Sequence, residues 1–222
     1  MTHYSAYSNV VSETTSAGYP AALANRHFWY DPSDLATITK DGADIISRFN
    51  DKLGNGNDLI TGAALWTANT LLFNGTGQYL KTGAIAAMSQ PTMIYMIVKQ
   101  VSWISGDYMF DGNSTSSGMI WQNPTSPGIQ AYAGTISPTN NNLAVDTWGI
   151  VRVLYSGANS KLIVNNTTPT TWNCGTKDMG GFTLGGKADN SGHWANTQKK
   201  DIIAMPSTES EAEIYAWLVT RL

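Results

Sequence analysis

From about residue 27 onward, short apolar runs alternate with clusters of Gly, Asn, Ser and Thr. Runs of this length, bounded by turn formers at close spacing, read as the strands of an all-β sandwich. The clearest predicted strands are Asp44–Phe49, Thr70–Asn74, Gln78–Lys81, Met93–Gln100, Tyr108–Asp111, Gly118–Gln122, Gly128–Ala133, Trp148–Tyr155, Lys161–Asn165, Phe182–Gly185 and Asp201–Met205. Between them lie Gly54-Asn-Gly-Asn57, Phe73-Asn-Gly-Thr-Gly77, Asp111-Gly-Asn-Ser-Thr115 and Ser156-Gly-Ala-Asn-Ser160, residue types that tolerate the positive φ of tight turns. Trp148–Tyr155 is apolar on both faces apart from Arg152, which predicts a central strand with one face in the core and the other covered or lining a groove. In Lys161–Asn165, Leu162 and Val164 point one way and Lys161, Ile163 and Asn165 the other.

The ends of the chain differ from this pattern. Residues 1–24 show no sustained period and read as an extended arm or linker, docked at its end, ahead of a single domain over 25–222. At the other end Thr208 with Glu211 three residues on forms a capping-box pattern, and Ile214, Trp217 and Leu218 make an apolar stripe: a short C-terminal helix that docks on the sandwich. Glu209, Glu211 and Glu213 suit the positive end of its dipole.

Composition narrows the function. Only 13% of the 222 residues are charged, against about 25% in an ordinary soluble domain. Polarity comes instead from 25 Thr, 21 Gly, 19 Ser and 18 Asn. With 42% apolar residues and 8 Trp the chain can bury a core, so it is not intrinsically disordered. A net charge of −3 argues against a nucleic-acid partner. No apolar stretch is long enough for a membrane span, the N-terminus carries no signal-peptide pattern, and the single cysteine, Cys174, forms no intrachain disulfide.

Several segments together resemble concanavalin A-like, laminin-G-type jelly rolls. They are Phe28-Trp-Tyr-Asp-Pro-Ser-Asp34, Ile46–Leu59, Leu72-Phe-Asn-Gly-Thr-Gly-Gln-Tyr-Leu80, Pro91–Lys99, Trp148–Tyr155, Lys161–Asn165, Phe182-Thr-Leu-Gly-Gly186 and the closing Ile202-Ile-Ala-Met-Pro206. Phe49 stands where that family often has Trp, and Asn50 also departs from its pattern. The resemblance covers about residues 27–222 and implies an all-β, two-sheet antiparallel jelly-roll sandwich with a short C-terminal helix. Such domains serve as lectins, polysaccharide-cleaving enzymes and adhesion modules, and are frequent in phage and bacterial surface proteins. The resemblance thus favours a virion-associated or extracellular place, with the N-terminal arm joining partner subunits. A fold hosts many functions, so the choice among them rests on side chains.

Enzymatic chemistry finds little support in those side chains. Glycosidases use two carboxylates flanking the scissile bond, and the sandwich has no glutamate: Glu13, Glu209, Glu211 and Glu213 are the only four. An aspartate pair, Asp107 and Asp111, remains. A lyase would draw on Tyr, His27, His193, Arg48 and Arg152. His193 lies in a polar loop and reads as solvated, His27 as a packing residue. No Gly-x-Ser-x-Gly elbow occurs. Asp51–Asp58 offers oxygen ligands of the kind calcium prefers, but Leu53 occupies a position where an EF-hand needs an oxygen donor, so the segment reads as a glycine-bearing turn and no cofactor is expected. The triplets at Asn113 and Asn166 match glycosylation sequons that a Thr-rich chain produces by chance.

Carbohydrate binding fits better, because sugar rings stack on aromatic faces while neutral amides and hydroxyls bind their hydroxyl groups. Trp29, Trp66, Trp148 and Trp217 read as core residues. Trp121, Trp172 and Trp194, flanked by polar or turn-forming residues, are candidates for sugar contact. Gln130 and Tyr132 share a strand face, as do Tyr95 and Lys99, and Arg152 faces away from Val151 and Val153. On one side of one sheet these residues would form a groove with two cations, suited to an anionic polysaccharide. The expected function is a glycan-binding or adhesion module of a phage or viral particle. The alternatives are a noncanonical polysaccharide-cleaving enzyme and a structural particle protein without ligand.

Overall fold

The structure is a computed structural model that describes residues 18–112, 117–206 and 208–222. In chain order its strands are β1 (Phe28–Tyr30), β2 (Ile38–Lys40), β3 (Ile45–Phe49), β4 (Leu59–Thr67), β5 (Thr70–Asn74), β6 (Tyr79–Thr82), β7 (Thr92–Gln100), β8 (Tyr108–Asp111), β9 (Met119–Gln122), β10 (Ile129–Tyr132), β11 (Trp148–Tyr155), β12 (Ser160–Val164), β13 (Thr170–Trp172), β14 (Thr183–Leu184) and β15 (Asn196–Met205). A helix, α1 (Glu211–Val219), follows. Every strand read from the sequence is present, most shifted by a residue or two at an end. The sequon at Asn113 and residues 1–17 of the expected arm lie outside the described residues. The last part of that arm is docked: Ala21–Asn25 form a 3-10 turn that buries Leu23, and Tyr19 meets Trp29 edge-on at 5.1 Å.

The all-β class holds, but the two-sheet sandwich does not. Hydrogen bonding runs without interruption through one antiparallel sheet in the order β10-β9-β8-β14-β6-β4-β5-β15-β7-β11-β12-β13. Off this path, β1 joins β15, and β2 and β3 join β4. Two long strands that change partners midway cause the difference. The first part of β4 pairs with β6 and its last part with β5, the change falling just after Gly62 at φ +105°. A Cβ there would come within 2.1 Å of the Tyr79 carbonyl oxygen, so only glycine permits the bend. Likewise β15 pairs along its first part with β5 and along its last part with β1, while a bulge between Lys199 and Ile202 shifts its register with β7. These strands carry the ladder around a corner where a sandwich would be broken, and the result is a curled half-barrel.

Curling brings the two ends of the sheet to face each other across one core. Phe28, Phe49, Phe73, Leu80, Met96, Phe110, Ile120, Val153 and Phe182 belong to a single buried cluster drawn from strands along the whole path. Tyr155 on β11 donates its buried hydroxyl to the carbonyl of Met119 on β9, 2.8 Å away, and so ties one end to the other. Burial of this apolar surface supplies most of the stabilisation, at about 25 cal/mol per Å².

A second, smaller cluster lies on the convex face of β1, β7, β11 and β15. Trp29, Met93, Tyr95, Ile97, Ile150 and Leu154 are covered there by Leu23 and by Ile214 and Leu218 of α1. Trp217 meets Trp29 edge-on at 5.4 Å. The expected capping box is not formed. Helix α1 starts after Ser210, a left-handed residue whose side chain caps nothing, and Thr208 accepts the Glu211 N–H through its backbone carbonyl. The Glu211 carboxylate goes instead to Arg152 at 2.9 Å and Lys161 at 2.6 Å. Among the described residues no helix is long and apolar enough to cross a membrane.

Candidate functional site

The eight residues singled out from the sequence fall in different places. Tyr95, Lys99 and Arg152 do share one side of β7 and β11, with Tyr95 opposite Arg152 and Lys99 opposite Trp148. That side is covered by α1. Arg152 pairs with Glu211, donates to the Asn165 carbonyl at 2.7 Å and lies 4.1 Å from the Tyr215 ring centre. Tyr95 is fully buried and its hydroxyl has no hydrogen-bond partner. Burial first, then the Glu211 charge, pushes its pKa well above the ordinary phenol value, with Arg152 opposing. Lys99 reaches Asp146 at 3.0 Å. Both cations of the expected groove are therefore matched by carboxylates, and helix fills the space above Arg152. Trp172 is placed elsewhere. Its ring meets Tyr155 edge-on at 6.4 Å, and its indole N–H donates to the Thr135 carbonyl at 3.2 Å, closing the seam between β13 and the loop after β10.

Trp121, Gln130 and Tyr132 do come together, on the outer face of β8–β9–β10. Alternation decides this: Ile120, Ile129 and Ala131 enter the core, so their neighbours face out. Trp121 lies opposite Gln130 on one side and Tyr108 on the other, and Tyr132 is opposite Met119. Neighbouring strands are about 4.8 Å apart, so Tyr108, Trp121 and Gln130 form a row about 10 Å long. The Tyr108 and Trp121 rings are stacked at 6.4 Å and 26°. Trp121 is 7% exposed and forms the floor, whereas Tyr108, Gln130 and Tyr132 are half-buried. Asn123 donates its side-chain amide to Gln130 at 2.5 Å, and Gln130 donates to the Ser137 carbonyl at 3.0 Å, which fixes both amides on the rim.

Sequence reading missed Tyr108, Asn123 and Lys177 in this face. Tyr108 sits on a correctly read strand, but Met109 and Phe110 both enter the core, because a bulge interrupts the pairing with β9. Regular alternation therefore points to the wrong side. Asn123 and Lys177 lie in loops, where periodicity carries no signal. Lys177 reaches across Tyr132, its ammonium 5.5 Å from the ring centre.

Trp194 borders the face. Its backbone bridges to Tyr108, its indole N–H donates to Asn190 at 3.2 Å, and its ring packs on Gly186. His193 beside it is exposed, as expected, with its ring centre 6.0 Å from that of Tyr108.

The carboxylates expected as alternatives are mostly committed to holding backbone. Asp111 is fully buried and accepts the N–H groups of Gly112 at 2.8 Å and Ala188 at 3.0 Å. Asp107 is nearly buried at the entrance to β8. Burial raises its pKa above the usual carboxylate value, with the nearby His193 charge opposing. In the loop 51–58, Asp51 accepts from the backbone N–H groups of Trp29 and Asn55 and pairs with Arg26, while Asp58 accepts from the N–H of Asp51 and pairs with Arg48. Those oxygens hold the turn that borders an open groove of about 670 Å³.

No protein-family model and no curated protein matches the chain. Solved structures do. A structure of Trypanosoma rangeli sialidase in complex with sialic acid matches with a TM-score of 0.62 and 12% identity over 96% of this chain and 36% of that one. A mutant GH54 α-L-arabinofuranosidase soaked with 4-nitrophenyl α-L-arabinofuranoside matches with a TM-score of 0.58 and 15% identity over 79% of this chain and 50% of the other. A tryptophan-to-alanine mutant of HCR/D matches with a TM-score of 0.57 and 10% identity over 91% of this chain and 54% of that one. The chain thus spans about a third to a half of the length of these structures. At such identities the likeness is one of fold, and the laminin-G resemblance stands only as far as the all-β class.

Proposed function

We propose that the chain is a glycan-binding module whose ligand lies on the outer face of β8–β9–β10. One observation carries the reading: half-buried Tyr108 stacks beside Trp121, half-buried Tyr132 lies on the same face two residues along β10 from Gln130, and the amides of Gln130 and Asn123 are fixed at the rim. Aromatic side chains join a large apolar face to a polar tip, which suits a ligand that is apolar on one side and hydroxylated at its rim. The row of Tyr108, Trp121 and Gln130 matches the length of a disaccharide. That proteins of similar fold have been captured with sialic acid and with an arabinofuranoside is consistent with a sugar partner.

A panel of oligosaccharides titrated against Trp fluorescence tests this reading. Binding that falls at least about tenfold in Tyr132→Ala and Tyr108→Ala, a loss of about 1.4 kcal/mol, supports it. Binding untouched by either substitution refutes it.

A second reading, polysaccharide cleavage, is favoured by one feature: Asp107, a carboxyl raised by burial, beside His193 and Tyr108. Raised acids of this kind serve as proton donors. Release of new reducing ends or unsaturated uronates from the same panel, abolished in Asp107→Asn, would establish it.

A further inference from the structure

We infer that the ligand of this face carries a carboxylate and that Lys177 receives it at the Tyr132 end, an inference that rests on the glycan-binding reading above. Nearly every cation on this protein is already spent. Arg26, Lys40, Arg48, Lys52, Lys99, Arg152, Lys161, Lys187 and Arg221 each pair with a carboxylate. Lys81 and Lys200 donate to backbone carbonyls, and Lys199 is buried beside Thr197. Among the described residues Lys177 is the exposed cation whose ammonium has neither an ion-pair nor a hydrogen-bond acceptor. The adjacent Asp178 is turned away, accepting the Gln90 N–H at 2.9 Å.

The position of this ammonium is built by the fold. The Lys177 N–H donates to the Ala133 carbonyl at 3.2 Å and the Thr135 N–H to the Cys174 carbonyl at 2.9 Å, binding residues 174–177 to the end of β10. From there the side chain runs over Tyr132. Cation–π contact of this kind holds the charge at the edge of the aromatic surface without neutralising it. The Tyr108 side of the face offers no such free cation: Asp107 lies at its edge, and Lys187 nearby is already paired with Asp189 at 3.2 Å. A sugar acid stacked on the tyrosines therefore has one favourable direction, with its carboxylate toward Lys177 and its neutral hydroxyls toward Tyr108. In a chain with net charge −3, one uncompensated lysine beside an aromatic face is a local feature.

Titration calorimetry with oligogalacturonate, a sialylated oligosaccharide and carboxyl-reduced oligogalacturonate tests the inference in the full chain. Wild type is expected to bind at least one acidic ligand about tenfold more tightly than the reduced one, more weakly as salt rises. Lys177→Gln is expected to remove that tenfold preference, and Lys177→Arg to keep it. Which acidic ligand wins separates a uronate from a sialic-type acid. Equal binding of acidic and reduced ligands, or an unchanged preference in Lys177→Gln with an intact circular dichroism spectrum, overturns the carboxylate assignment and leaves the glycan-binding reading in place. Absence of binding to all three and to the wider neutral panel overturns both.

Discussion

The carboxylate of Glu211, the first residue of α1, lies 2.9 Å from the guanidinium of Arg152 on strand β11. Its other oxygen takes Lys161, so one helix residue neutralises two sheet cations. Glu211→Gln leaves Arg152, nearly buried under Tyr215, without a counter-charge. Breaking a buried pair costs about 3 to 5 kcal/mol, and the partial exposure of Lys161 lowers this to about 2 kcal/mol. Urea unfolding should show that loss, and hydrogen exchange should show α1 opening before the sheet.

This contact also marks where sequence reading stops. Periodicity located the strands, since apolar alternation is local, and it showed α1 with its stripe of Ile214 and Leu218. It could not show on which face the helix docks. Lys99 and Arg152 therefore read as an open cationic groove, although Glu211, assigned from sequence to the helix dipole, lies on Arg152. β4 was missed because Gly62, Ala63 and Ala64 interrupt its alternation, and that same glycine bends the strand and joins what read as two sheets. Within the candidate face, Gln130 and Tyr132 were legible because they obey regular alternation on β10, and Trp121 because polar and turn-forming residues follow it. Tyr108 follows a bulge and Lys177 a loop, and neither leaves a periodic trace.

Lys199 should give the protein an unusual pH profile. It is fully buried against the Phe73 ring, and burial lowers its pKa from 10.5 to about 7. Between these values the unfolded chain binds the proton that the folded one has released, so stability rises with pH, by up to about 1.4 kcal/mol per unit. Below pH 7 both states are protonated and the burial penalty is constant. Tyr30 and Tyr155, whose pKa values burial raises well above 10, act oppositely and remove stability once the unfolded phenols ionise. Thermal unfolding should show a maximum at about pH 10. Lys199→Met should be more stable than wild type at pH 7 and lack the rise; an unchanged rise would refute the assignment.

Gly186 makes room for Trp194. A Cβ there would sit 2.7 Å from the indole Cδ1. Gly186→Ala therefore displaces the ring or strains the backbone, at a cost of about 1 to 3 kcal/mol. Near-ultraviolet circular dichroism should change at the Trp bands. Glycan binding should fall less than in Tyr132→Ala, since Trp194 borders the face and Tyr132 forms part of it.

Tyr155 offers a test of the curled sheet itself. Its hydroxyl donates 2.8 Å to the Met119 carbonyl, joining strands that stand near opposite ends of the hydrogen-bonded order. Tyr155→Phe keeps the ring in the core and removes only this link, for a loss of about 1 kcal/mol. Tyr155→Leu also leaves space beside Trp172, its edge-on neighbour, and should cost about 3 kcal/mol. If the link closes the half-barrel, amide exchange in the Phe variant should accelerate in β8–β10 and β12–β13 while β5, β15 and β7 in the middle stay protected. Uniform acceleration across all strands would show instead that the two ends have no local opening of their own and that the sheet unfolds as one unit.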